Sequence, residues 1–187
     1  MSKEDDKLDF KIQYGSTKTH LKLANHENHD IRKAVAEHGD DTIRTKMLND
    51  KSDGVRHIIA KHGNDQHRDH LMHDKSEMVR TNVALYGNKK HLTHLMNDPS
   101  DHIRKTVANY GSKEHRDILV NDENPNIRIA VAQHGHKEHL DKLVDDPAPK
   151  VRLAVIKKGH KEHLEKLVND PDEVVKTLAK LSLDRNK

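Results

Sequence analysis

The sequence predicts an all-α protein, an α-solenoid of about seven two-helix repeats of 24 residues, and three observations carry that prediction. Glycine recurs at Gly15, Gly39, Gly63, Gly87, Gly111, Gly135 and Gly159, 24 residues apart each time. Ahead of each glycine from Gly39 onward stands an apolar pair spaced i, i+4: Ile31/Val35, Val55/Ile59, Val79/Val83, Ile103/Val107, Ile127/Val131 and Val151/Val155. After the same glycines comes a second apolar pair: Met47/Leu48, Leu71/Met72, Leu95/Met96, Leu119/Val120, Leu143/Val144 and Leu167/Val168. A fixed period of this size marks a small supersecondary unit stacked on its own copies. Each copy buries the apolar face of its neighbour.

Taken in order, residues 1–13 match the repeat poorly, and 1–15 read as an N-terminal cap or tail. The array spans 16–183, and 184–187 form a polar tail. Within a unit such as Asn124 to Asp146, the i, i+4 spacing puts the first pair on one helical face. Glycine then ends that helix and is expected in the left-handed C′ conformation. The residue after it is Ser16, Asp40, Asn64, Asn88, Ser112, His136 or His160, an N-cap for the second helix in which His is the weaker choice. That second helix has about two turns and is open to 3₁₀ geometry. A turn of the Asn-Asp kind, often with Pro, closes the unit. From Val174 to Leu183 the string VVKTLAKLSL replaces the pattern with a more apolar helix, as terminal repeats tend to do.

Composition agrees with thin stacked layers. Of 187 residues, 32% are hydrophobic and 35% charged, which borders on a disordered composition unless the apolar residues are gathered in columns, as they are. With no cysteine, disulfides, thiolate metal sites, Cys-ligated iron–sulfur clusters and cysteine nucleophiles are excluded. No apolar run reaches the roughly 20 residues of a membrane span, and the start MSKEDDKLDFKIQYG lacks the apolar core of a signal peptide. A soluble cytoplasmic protein without a membrane partner is expected. Phosphate-binding, nucleophile-elbow and zinc-protease motifs are all missing. The expectation is therefore no enzyme, no catalytic residue, no metal and no cofactor.

A charged ladder runs through the array. Asp50/Arg56, Asp74/Arg80, Asp98/Arg104, Asp122/Arg128 and Asp146/Arg152 are each six residues apart, while Arg32 has His26 in the Asp position and Asp170 has Lys176 in the Arg position. Because the Asp recurs as faithfully as the Arg, the ladder reads as structural, each Asp accepting from an Arg and tying repeat to repeat. The competing reading is an anion-binding stripe. The string Asp-Pro-x-x-x-(Val/Ile)-Arg-x-x-(Val/Ala)-(Val/Ala)-x-x-Gly, clearest at Asp98–Gly111 and Asp146–Gly159, resembles the HEAT-like repeats. Its 24-residue length and compact second segment are most similar to the leucine-rich repeat variant subgroup. The resemblance covers about residues 16–180 and implies a HEAT-like superhelix that serves as a scaffold. Some variant-repeat proteins carry an iron–sulfur cluster in a cysteine-bearing segment, which this chain lacks.

A family leucine position early in the second helix is His here, at His67, His91, His115, His139 and His163, after Thr19 and Ile43 in the first copies. Bordering the buried face, these rings read as half-buried, with their nitrogens bonded to backbone or to the neighbouring turn. Metal binding through the i, i+3 pairs His136/His139, His160/His163 and His67/His70 is the weaker alternative, since no third ligand recurs with them. A pH-sensing role follows if the rings are buried neutral.

On the exposed face of the second helices Lys113, Lys137 and Lys161 form a basic column interleaved with acidic ones, the pattern of a solvated face laced with ion pairs. On the first helices the outward column is Lys33, His57, Thr81, Lys105, Ile129 and Leu153, and its last two members are apolar. Lys113, Lys137, Lys161, Ile129 and Leu153 are therefore the candidate partner-binding residues. The expected function is a monomeric, non-enzymatic scaffold that binds another protein. The alternative is a nucleic-acid-binding HEAT-like array, disfavoured by a chain with no Trp to stack on bases and an Arg column already partnered.

Overall fold

The computed structural model describes residues 3–185, with side chains from residue 7 onward. In chain order the helices are α1 (Lys3–Tyr14), α2 (Thr17–Leu23), α3 (His29–His38), α4 (Asp41–Lys46), α5 (Asp53–His62), α6 (Asp65–Leu71), α7 (Glu77–Tyr86), α8 (Lys89–Leu95), α9 (Asp101–Tyr110), α10 (Lys113–Leu119), α11 (Pro125–His134), α12 (Lys137–Leu143), α13 (Pro149–Ile156), α14 (Lys161–Leu167) and α15 (Glu173–Arg185). No strand occurs among the described residues. Odd-numbered helices are the first segments of the repeats and even-numbered ones the second, so the architecture is an all-α solenoid.

Contacts divide the chain into two units, Met1–Leu95 and Met96–Lys187. In the first, α1 packs on α3, α3 on α5 and α5 on α7. In the second, α9, α11, α13 and α15 form the corresponding row, and α10, α12 and α14 each wedge against the first helix before and after them. Val35, Val55, Ile59, Val79 and Val83 in the first unit have no exposed surface. Neither do Ile103, Val107, Ile127, Val131, Val151, Val155 and Val175 in the second. Fully burying one such side chain contributes about 1.5–3 kcal/mol. These two columns of β-branched residues, four apart on one helical face, gather the apolar burial of so polar a chain.

The structure refines the sequence-based expectation at three places. The segment 1–15 holds a full helix, α1, which packs on α3 and buries Ile12, so it serves as the first helix of the array. At the other end α15 continues to Arg185, into the expected tail, whose residues 186 and 187 lie outside those described. The second helices are α-helical over six or seven residues.

The glycines depart furthest from expectation. Gly39, Gly63, Gly87, Gly111 and Gly135 are extended, with φ between −70° and −80°, a conformation open to any residue. What they provide is space. A Cβ added at Gly63 would lie 2.6 Å from the carbonyl oxygen of Ile59 and 2.7 Å from Nδ1 of His67. Gly159 alone is left-handed, with φ 72°. There α13 stops at Ile156, and the chain needs a different exit to reach α14.

Candidate partner-binding surface

Building outward from the core, the Arg ladder comes first. Arg56 donates through Nε to Oδ2 of Asp74 at 2.6 Å and through Nη2 to Oδ1 at 2.9 Å. The same forked pairing joins Arg32 to Asp50, Arg104 to Asp122, Arg128 to Asp146 and Arg152 to Asp170. The carboxylate partner thus lies eighteen residues ahead, not six behind. The Asp six residues back contributes its backbone carbonyl, which accepts from Nη1 of Arg56 (Asp50), Arg80 (Asp74), Arg104 (Asp98), Arg128 (Asp122) and Arg152 (Asp146). Each Asp also takes the amide two residues on, as Asp50 takes Ser52 and Asp98 takes Ser100.

This register accounts for the two irregular ends. Where the Arg column would continue backward the residue is Leu8, so His26 has no guanidinium to receive; its carbonyl accepts from Arg32 at 2.6 Å, and its Nδ1 takes the Asn28 amide at 3.1 Å, as the ladder carboxylates take the amide two residues on. Lys176 turns to Glu173 on its own helix. Burial pushes the Asp50 and Asp74 carboxyls up, but their guanidinium and amide donors outweigh it and hold both below the usual carboxylate range. At Asp170 the Arg152 guanidinium is the largest influence and acts in the same direction. A second Arg set, Arg44, Arg68 and Arg116, caps the ends of the preceding first helices. It donates through Nε to the carbonyls of Ala36, Ala60 and Ala108 at 2.8–3.0 Å.

The histidine column is buried, more deeply than the expected half-burial, and its rings complete the N-caps. Nδ1 of His67, His91, His115 and His139 accepts the backbone amide of Asn64, Asn88, Ser112 and His136 at 2.9–3.0 Å. That is the reciprocal half of a capping box, a role usually taken by Glu or Gln. With Nδ1 accepting, the proton of the neutral ring sits on Nε2. His67 directs Nε2 to Thr45 Oγ1 at 2.9 Å, and His163 directs it to Asp141 Oδ1 at 2.7 Å. His91 and His139 each have an Asp oxygen, of Asp69 and Asp117, 3.1 Å from Nε2, close enough for an ion pair but not aligned as a hydrogen bond. At His163 the left-handed exit through Gly159 leaves Nδ1 without a partner. Burial lowers the pKa of His67. The i, i+3 ring centroids lie 6.0 Å apart at His136/His139 and 5.5 Å at His160/His163, while His70 binds Asn49.

Of the predicted contact residues, Lys113 pairs with Asp117 at 3.2 Å, Lys137 with Glu162 at 2.7 Å and Asp141 at 3.3 Å, and Lys161 with Glu165 at 3.7 Å. Ile129 and Leu153 lie apart from these lysines, on α11 and α13. There they wall a groove of about 420 Å³ whose far side is Leu178 of α15, with Lys150, Lys157 and Gln133 along its rim. No carboxylate lines it.

With this geometry in place, comparison with solved structures gives a match over 92% of the chain to a leucine-rich repeat variant with a novel repetitive structural motif. It spans 73% of that protein at 24% identity and a TM-score of 0.81. The fold is that of a leucine-rich repeat variant. A designed armadillo repeat protein also aligns, over 92% of this chain and all of its own at 16% identity, but a TM-score of 0.33 is too low to bear on this fold. No protein family and no curated protein matches the chain.

Within this leucine-rich repeat variant fold the groove is only partly visible in the sequence. Leu178 was the missing element; its column runs Ala34, Ile58, Asn82, Thr106, Ala130, Ala154, Leu178, and with Ile58 as large a residue in it, size alone did not mark the position. Asp141, one of the exposed acids beside the lysine column, is the hydrogen-bond acceptor of buried His163. Among the described residues no helix is long and apolar enough to cross a membrane, and no group of three or more His, Asp or Glu is placed to hold a metal ion.

Proposed function

We propose that this chain is a non-enzymatic scaffold that binds another protein, and that the partner engages the α11–α13–α15 face. The observation that carries this reading is the groove, where Ile129, Leu153 and Leu178 present apolar side chains to one cavity. Its volume, about 420 Å³, falls within the roughly 300–1,000 Å³ of binding clefts. The charged columns support the same reading. The paired guanidiniums of the ladder are committed to carboxylates, and Lys113, Lys137 and Lys161 each have an acid within 4 Å, which cancels much of the field a phosphate backbone would feel.

The test has two arms. Duplex and single-stranded nucleic acid should bind at best with the micromolar-or-weaker affinity of nonspecific contacts, about 10⁻⁴–10⁻⁶ M at physiological salt. Nanomolar binding that is lost on neutralising Lys113, Lys137 and Lys161 overturns the proposal in favour of a nucleic-acid-binding array. In host cells, proteins crosslinked to a photoreactive residue at position 133 should be lost with Leu153→Asp and kept with Lys113→Ala. The opposite pattern moves the contact surface to the second helices.

A further inference from the structure

The groove has a chemical character that narrows its occupant. Its walls are aliphatic, its rim carries two lysines, and no carboxylate faces it. The helices that build it share that bias. Helices α11 and α13 contain no acidic residue, whereas α3, α5, α7 and α9 each place one in the first turn, at Asp30, Asp53, Glu77 and Asp101. Pro125 and Pro149 open α11 and α13 instead. On α15, Glu173 is already bound to Lys176. Lys150 and Lys157 are exposed and form no ion pair among the described residues, in contrast to Lys113, Lys137 and Lys161 of the second helices, each of which has an acid partner. An apolar slot bordered by uncompensated positive charge suits a ligand of the complementary pattern.

We infer that the groove receives an acidic amphipathic segment of a partner protein, with aliphatic side chains seated between Leu153 and Leu178 and carboxylates reaching Lys150 and Lys157. This rests on the proposed scaffold reading and adds the partner's chemistry. Burial of the aliphatic anchors supplies the affinity. The lysines supply orientation, rate of encounter and rejection of basic segments, because like charge at such a rim is repulsive.

Two fluorescent helical peptides test it with the full-length chain. Both carry leucines at i, i+3, i+4 and i+7; one has glutamates flanking that stripe and the other lysines. Fluorescence anisotropy should show the glutamate peptide binding about tenfold or more tightly than the lysine peptide at low salt, a gap that narrows as salt is added. The double variant Lys150→Glu/Lys157→Glu should invert the order. Leu153→Asp should weaken the glutamate peptide about tenfold or more. Leu178→Asp, at a position already 41% exposed and so tolerant of charge, should do the same and guards against a folding defect at Leu153.

Equal binding of the two peptides, both lost in Leu178→Asp, overturns the acidic-partner inference and leaves the groove standing. Binding that neither aspartate variant affects overturns the groove itself. No detectable binding of either peptide overturns the inference, as does a mass that doubles with concentration in light scattering and reverts in Leu178→Asp. That last result would make a second copy of this chain the occupant.

Discussion

In the first unit the outward column of the first helices carries Lys33, His57 and Thr81, and α3, α5 and α7 each hold an acid in their first turn. In the second unit α9 keeps that pattern with Lys105 and Asp101, but α11 and α13 replace the column with Ile129 and Leu153 and the acid with proline. Beneath this drift the two units share one frame: the same valine and isoleucine core, the same forked Arg–Asp pairs and the same histidine caps. A column that repeats in both units is explained by contacts inside the molecule. One that changes in a coherent direction along the array has no such internal explanation, and it is there that the recognition surface is proposed.

The largest test of that comparison removes a ladder carboxylate from each unit. Asp74→Ala and Asp122→Ala strand a guanidinium that is at most 12% exposed, and each should cost about 3–5 kcal/mol in a denaturant titration. A large loss in one unit and none in the other would show that the frame is not shared. Next come the glycines. Gly63→Ala and Gly135→Ala push a methyl group against the Ile59 or Val131 carbonyl and the histidine beyond it, at a cost of about 1–3 kcal/mol. Gly54→Ala meets nothing nearer than 3.4 Å at the start of α5 and should instead gain about 0.4–1 kcal/mol. Equal effects at Gly63 and Gly54 would remove the steric account of the glycine column.

The smallest effect is a pH dependence in the first unit. Burial sets the pKa of His67 below its ordinary value, so the unfolded chain takes up the proton first. Stability contributed by neutral His67 is full above the unfolded value, about 6.5, and is lost as pH falls from there toward the folded value. His62 shifts the same way, also by burial. The carboxylates Asp50, Asp74 and Asp170 are held low, so their contribution is full above about 3.9 and is lost only as pH falls through their folded values. Thermal melts should therefore show a shoulder that begins as pH falls below about 6.5 and a steeper loss below about pH 4. His67→Gln keeps an acceptor at N3 and cannot titrate, so it should shrink the shoulder. Coincident wild-type melts at about pH 7.5 and 5.5 would rule the shoulder out.

Period and apolar spacing were enough to read the helix pairs and the core, because a stacked array repeats its buried contacts. Two features were misread for physical reasons. In a 24-residue repeat, a partner six residues back and one eighteen ahead fall in the same column, so Arg56 points to Asp50 and Asp74 alike until side-chain positions separate them. The informative residues were the exceptions, Leu8 and His26, where the Arg and the Asp of the earliest rung are missing together. Glycine likewise marks either an unusual φ or a close approach, and only the distance from Gly63 to His67 decides which. Arg44, Arg68 and Arg116 escaped notice because Leu92, Leu140 and Leu164 share their column, so no unbroken repeat announced them.

The eighteen-residue reach of the guanidinium makes chain length a quantity that can change in whole steps. If residues 125–148 were excised, Arg104 would still hold Asp122 and Arg152 would still hold Asp170, since neither pair draws on the missing segment. The carbonyl of Asp122, released by the departed Arg128, would meet the incoming Arg152 in the register that Asp146 now occupies. A slip by anything other than a whole number of repeats displaces an Arg from its carboxylate or from its carbonyl. Duplication or loss of one repeat is thus the kind of genetic accident this fold is built to survive, and the count of its layers can drift between lineages while the geometry of each joint is inherited intact.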